Sequence, residues 1–193
     1  EKRRREALRK VAEGLGFTFY EIDVDACKIY LTGFDLFCKG RARKALNIML
    51  GTAQGVSVTI FDYRYTTGSG KHTHTWNQTV AMFQTDKLNL PAFMLRPEHL
   101  FDKLGSVFGG QDIDFSSNPD FSRHYLLKGE DEQAVRELFK REAIAYCESH
   151  PGLSAEGVKD RLLVYRASMR VKPDKIKAFL EETFTIYSLF KSL

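Results

Sequence analysis

VSVTIFDYRYTTGSGKHTHTWNQTVAMFQ, residues 56–84, carries the clearest β pattern of the chain. Val56, Val58 and Ile60 alternate with Ser57 and Thr59, the two-residue period of a strand with one buried face. The run continues through Phe61, Asp62, Tyr63, Arg64 and Tyr65, and a second run rich in aromatic and β-branched residues covers 73–84. Between them Gly68 and Gly70 supply the backbone freedom that a chain reversal needs. The pattern predicts a long antiparallel hairpin, 56–65 paired with 73–84.

Outward from this hairpin the elements alternate in type. Upstream, Ala7, Leu8, Val11, Ala12 and Leu15 form one stripe of a helix that Gly14 and Gly16 end. FTFYEI (17–22) and LTGFDLF (31–37) read as strands, followed by a basic segment, 39–44, and a short apolar segment to Leu50. Downstream, Phe93-Met94-Leu95 reads as a short strand, and Pro97 opens a helix whose apolar face is Leu100, Phe101, Leu104, Val107 and Phe108. A turn-rich stretch, 111–123, leads to a strand at 124–127 and then to a helix from Glu130 to about Glu148. Short strands at 153–156 and 161–167 flank a turn. A final helix opens at Pro173 and carries the stripe Ile176, Phe179, Leu180, Thr183, Phe184, Tyr187 and Phe190. The expected fold class is α+β: an antiparallel sheet with a long central hairpin, helices packed mainly on one face, and a C-terminal amphipathic helix. No linker or repeat divides the 193 residues, so 1–193 is read as a single domain.

With 43% hydrophobic residues, 15 Phe and 8 Tyr, the chain has ample material for a core, which excludes disorder. Its net charge of +4 is local. Residues 1–10 hold Lys2, Arg3, Arg4, Arg5, Arg9 and Lys10 against Glu1 and Glu6, and the rest of the chain balances. Nucleic-acid binding through Arg3–Arg5 and Arg41–Lys44 is therefore a minor reading, because such binders carry a folded basic face. The three cysteines, Cys27, Cys38 and Cys147, show no CxxC spacing and point to a reducing compartment. No apolar run reaches the ~18–20 residues that cross a bilayer. A basic block opening such a domain resembles the cytoplasmic flank of a membrane span.

The chemistry-bearing residues fall into four groups. Gly68-Ser69-Gly70-Lys71 lacks the first glycine and the hydroxyl residue of a phosphate loop, so it is read as a hairpin tip. His72 and His74 stand two apart on a strand edge and Asp112 and Asp114 two apart in a turn-rich stretch. Brought together, with Asp62, His99 or His124 beside them, they could hold a metal and activate a water. Cys38, next to Lys39 and Arg41, is the candidate for a lowered thiol pKa. Tyr65 and Trp76 near the tip are a cross-strand aromatic pair or an anchor for a partner. Together with Lys71, His72, His74 and the basic residues Arg41, Arg43 and Lys44, they make the candidate binding surface.

FDYRYTTGSGK (61–71), QTVAMF (78–83), LPAFMLRPE (90–98), FGGQDIDF (108–115) and FSRHYLLKG (121–129) together resemble a family of bacterial domains often found after short membrane-spanning segments. The resemblance spans roughly 30–170 and brings no activity, ligand or catalytic residue with it. It implies a bacterial source and a membrane tether before Glu1. The expectation is a non-enzymatic module without cofactor, binding a protein partner on the cytoplasmic side of a membrane that the basic N-terminus approaches. The rival expectation is a metal-assisted hydrolase using His72, His74, Asp112 and Asp114.

Overall fold

The computed structural model describes residues 1–22, 32–100 and 112–191. Its strands are β1 (Thr18–Ile22), β2 (Arg41–Ala53), β3 (Val56–Thr67), β4 (His74–Gln84), β5 (Leu90–Pro97), β6 (Tyr125–Gly129), β7 (Leu153–Lys159) and β8 (Arg161–Arg166). They form one sheet in the order β1-β2-β3-β4-β8-β7-β5-β6, every neighbour antiparallel. The helices are α1 (Lys2–Leu15), α2 (Pro119–His124), α3 (Glu132–Leu138), α4 (Arg141–Ser149) and α5 (Ile176–Phe190). The α+β expectation holds, and the β3–β4 hairpin sits at the centre of the sheet.

The helices cover one face. Leu8 and Ala12 of α1, Val135 of α3, Ile144 of α4 and the stripe of α5 pack against Val58, Ile60, Phe83, Phe93, Leu127 and Leu162. Phe83 lies against Phe184 and Tyr187 of α5, and Phe190 reaches Phe93 and Phe139. Burying each such ring contributes roughly 1.5–3 kcal/mol. Gly157 in β7 makes room for this packing: a Cβ there would stand 2.2 Å from the Phe93 ring.

The opposite face is also closed. Phe61, Tyr63, Tyr65, Val80, Met82, Leu163 and Tyr165 lie beneath Phe34 and Leu36, with Phe37 packed against them. Phe61, Asp62 and Tyr63 are consecutive and all buried, which requires cover on both sides of β3.

Four expectations change. The strand expected at 31–37 is, from residue 32 on, a turn and a 3₁₀ turn at Asp35–Cys38. Phe34 and Leu36 are buried because they plug the second face, without any ladder, and Asp35 between them is buried as well. The basic segment and the short apolar segment after it are one strand, β2. Register shifts between Arg41 and Lys44 and between Leu46 and Met49 break its period, with Ala42 and Asn47 at positive φ. The helix expected from Glu130 to Glu148 is split into α3 and α4, because Lys140 is extended (φ −69°, ψ 169°) while Phe139 inserts among Phe93, Phe121 and Phe190. Pro97 ends β5, and Glu98–Leu100 is a 3₁₀ turn. The remainder of the helix expected there, Phe101 to Phe108, lies outside the described residues, as does Cys27.

Candidate functional site

Pairing in the central strands brings together residues that the sequence keeps apart. Lys44 stands opposite Arg64, Arg41 opposite Thr66, and Thr67 opposite His74. The Arg41 guanidinium donates to the carbonyl of Gly68, and that of Arg43 to the carbonyl of Phe37. Gly40 lets β2 approach β3 closely, for a Cβ there would meet the Thr66 carbonyl at 2.3 Å. The two candidate basic segments thus become one end of the sheet. Arg41, Arg43, Lys44, Arg64, Lys71, His72 and His74 are all exposed there. The contributing segments, 39–44 and 64–77, contain no Asp or Glu. Arg64, absent from the sequence-based set, joins the surface by its register opposite Lys44.

The aromatic pair lies behind this surface. Tyr65 and Trp76 are direct cross-strand partners, their rings stacked at 5.9 Å with 6° between planes. Tyr65 is buried, and the Trp76 indole N–H donates to Thr67 Oγ1 at 2.9 Å. The pair therefore braces the hairpin, and His74 packs edge-on to Trp76 at 4.6 Å.

Deeper on the same face is a cluster of buried charges that sequence reading missed. Asp35 Oδ2 lies 3.2 Å from Lys39 Nζ and 3.6 Å from Arg96 Nη1. Glu156 is fully buried; its carboxylate accepts the Leu36 amide at 3.1 Å and the Tyr165 hydroxyl at 3.0 Å. Burial first, then the negative charge of Asp35, push the Glu156 carboxyl up to about 7 against the opposing pull of Lys39. The signal in the sequence was a lone charge set directly between uncharged apolar or small residues, Arg96 between Leu95 and Pro97 and Glu156 between Ala155 and Gly157.

On the helix face Asp62 holds a second polar network. Arg4 grips it with two bonds of 2.8 and 2.7 Å, Asn47 donates at 2.8 Å and Thr79 at 3.0 Å. Arg4 also reaches the carbonyl of Val171, and Arg170 bridges Asp62 to Glu1. Arg5 and Arg9 both pair with Glu21. Half of the basic N-terminal block is thus engaged by the domain, and α1 lies on the sheet. Arg4 sits level with Asp62, midway along β3, and Phe17 level with Gly51, so the N-terminus of α1 points towards the hairpin-tip end.

The proposed metal quartet does not assemble. Asp112 Oδ1 accepts the Leu127 amide of β6 at 2.8 Å, while His72 and His74 belong to the β3–β4 tip. Four strand spacings separate β4 from β6, about 19 Å at ~4.8 Å each. Asp112 is instead a backbone brace, its carboxyl raised chiefly by burial. Asp62 is taken by arginines, and among the described residues no three His, Cys, Asp or Glu groups come together to hold a metal. A cavity of about 450 Å³ is lined in part by His99, Asp120, His124 and Glu148. His124 Nδ1 is 2.7 Å from the Asp120 carbonyl, and Tyr125 spends its hydroxyl on the carbonyls of Cys147 and His150. Cys38 is not activated: desolvation and then Asp35 push its thiol up. Burial takes Cys147 up to about 12.

Neither a protein-family model nor a curated protein matches this sequence. Among solved structures the fold matches the crystal structure of the mycobacterial trehalose monomycolate transport factor A, TtfA, with a TM-score of 0.68. The match covers 96% of this chain and 93% of that one at 15% identity, a likeness of fold. No helix among the described residues is long and apolar enough to cross a membrane.

Proposed function

We propose that the domain is a non-enzymatic interaction module, an accessory factor of a transport process, which docks on an acidic face of a membrane-resident partner. The observation that carries this reading is the exposed cationic end of β2, β3 and β4. Five arginine and lysine side chains, with His72 and His74, project there from segments that contain no carboxylate. Such a surface steers and orients an acidic partner, and its contribution is lost at high salt. The whole-chain likeness to a transport factor supports an accessory role. The direction of α1, whose N-terminus points towards that end, supports a tether there: an anchor before Glu1 would hold the cationic end towards the bilayer. The buried carboxylates Asp62 and Glu156 and the half-buried Asp112 are committed to internal contacts, which suits a binding scaffold better than a reaction centre.

A photo-crosslinking residue at position 71, introduced into the full-length protein in its own cells, tests this reading. The expected product is one discrete adduct with a membrane protein, formed at low salt in isolated membranes and diminished at high salt. Diffuse labelling without a membrane-protein adduct would overturn the proposal.

A further inference from the structure

Residues 34–39 cover the second face of the sheet without joining its ladder. Phe34 and Leu36 fill the apolar face, and the backbone is anchored at a buried point. There the Leu36 amide donates to the two oxygens of Glu156, at 3.1 and 3.3 Å. Asp35 meets Arg96 of β5 at 3.6 Å, and the Phe37 carbonyl accepts from Arg43 of β2 at 2.7 Å. Through Lys39 and Gly40 the segment then runs directly into β2 and the cationic end.

The anchor is a carboxyl in an apolar place. Glu156 of β7 stands opposite Met94 of β5 and Leu163 of β8, both fully buried. From the covering segment Asp35, Cys38 and Lys39 act on it, and Arg96 of β5 sits against Asp35. Tyr63 and Tyr65 of β3 and Tyr165 of β8 complete its ionisable surroundings. Arg43 of β2 acts on Cys38 and Tyr63, and Arg161 of β8 lies over the Phe34 ring. Burial raises the Cys38 thiol and the Tyr63 and Tyr165 phenols, so these stay neutral through the neutral range. Ionising Glu156 therefore puts a charge in a buried space beside the carboxylate of Asp35, against the pull of Lys39. Lifting residues 34–39 relieves this chiefly by admitting water to Glu156, while Asp35 leaves with its partner Lys39.

We propose that Glu156 and residues 34–39 form a pH-operated latch: a protonated Glu156 keeps the segment seated on the second face, and its ionisation lets the segment lift. Oε1 accepts both the Leu36 amide and the Tyr165 hydroxyl, so a proton on Oε2 leaves both bonds in place. With the segment seated, the carboxyl holds its proton up to about pH 7; with the segment lifted, it returns to the ordinary value of 4.5. The seated form binds the proton more tightly, so lifting becomes easier as pH rises from 4.5 to about 7, roughly tenfold per pH unit, and no easier above that. Lifting uncovers Phe61, Tyr63 and Leu163 and releases Arg43 from the Phe37 carbonyl. The latch stands on the buried cluster alone; only its effect on the cationic end rests on the docking function proposed.

Amide hydrogen exchange of the full chain, followed by NMR at pH 5, 6 and 7 and corrected for the intrinsic rise of exchange with pH, tests the latch. The Leu36 amide is expected to exchange faster than those of Phe184 and Ile186 in α5, which open only with the whole domain. Its exchange is expected to respond much less to 1 M urea than theirs, because a local opening exposes little surface. Its protection is expected to fall about tenfold per pH unit from pH 5 to 7, and Glu156→Gln is expected to abolish that slope. Exchange of Leu36 at the rate and urea dependence of α5 would mean that the segment never lifts alone and would overturn the latch. So would a Leu36 protection that is indifferent to pH in the wild type, which needs no variant to read, or a slope that persists in Glu156→Gln.

Discussion

Replacing Asp62 by alanine is expected to cost about 3–5 kcal/mol, the penalty for removing one partner of a buried ion pair and leaving the other charge behind. Asp62 is the shared acceptor for Arg4, Asn47, Thr79 and Arg170, and its side chain is only 7% exposed. Its loss strands the Arg4 guanidinium, itself 15% exposed, against the sheet. For a domain of this size about 2–4 °C of Tm accompany each kcal/mol, so calorimetry is expected to show a fall of roughly 10 °C. Amide exchange in α1 is expected to quicken more than in α5, because α1 alone depends on this grip. A Tm within 2 °C of the wild type, by contrast, would mean that α1 is held by its apolar stripe and the network adds nothing. A helix locked at Arg4 also fixes the direction in which the proposed tether would leave the domain, whereas a free basic helix would not.

Stability is expected to fall as pH rises from about 4.5 to about 7. The buried Glu156 carboxyl has its pKa raised from 4.5 to about 7, so in that interval the folded protein binds a proton that the unfolded chain has lost. More protons bound in the folded state means that acid favours folding. The contribution is complete below the unfolded value, declines across the window and is absent above about 7, when both states are ionised. The full span corresponds to roughly 3 kcal/mol. The carboxyl of Asp112, raised by burial, acts with the same sign at lower pH. That of Glu1, pulled down to about 2 mainly by its bond to Arg170, opposes it only below 4.5. Glu156→Gln keeps an oxygen for the Leu36 amide and the Tyr165 hydroxyl but cannot titrate. Urea unfolding from pH 4.5 to 8 is expected to give a sloping profile for the wild type and a flat one for the variant. Two parallel profiles would place the titrating group elsewhere.

These expectations rest on features of unequal visibility in the sequence. The central hairpin and α5 were legible because nothing disturbs their periods: Val56-Val58-Ile60 keeps a strict alternation and Ile176–Phe190 a helical one. β2 was not, because positive-φ residues at Ala42 and Asn47 shift its register twice and its outer half is a row of exposed basic residues. Phe34 and Leu36 alternate with Asp35 in polarity like a strand while making none, since such a pattern does not record hydrogen bonding and Asp35 is buried beside them. The candidate surface was half legible. Both of its segments were recognised by charge, but their union depends on the pairing of Lys44 with Arg64, a long-range fact. The His–Asp metal quartet failed for the same reason, as spacing within each pair says nothing about the strands between them. The Asp35, Lys39, Arg96 and Glu156 cluster draws on three segments and has no local signature beyond a charged residue in an apolar strand.

The most direct test of the account exchanges charge at the proposed docking end and compares it with the same exchange elsewhere. Arg41→Glu, Arg64→Glu and Lys71→Glu combined alter the tips of β2 and β3 and the turn after them. Arg123→Glu, Lys140→Glu and Arg141→Glu combined alter net charge equally at exposed positions around α2 and α4. Both variants are to be checked for an unchanged Tm and then assayed for the membrane-protein adduct, with the photo-crosslinking residue moved to position 72. The first variant is expected to lose at least nine-tenths of the adduct, a tenfold effect of about 1.4 kcal/mol, while the second retains it. Equal retention in both, or loss in the second alone, would contradict it.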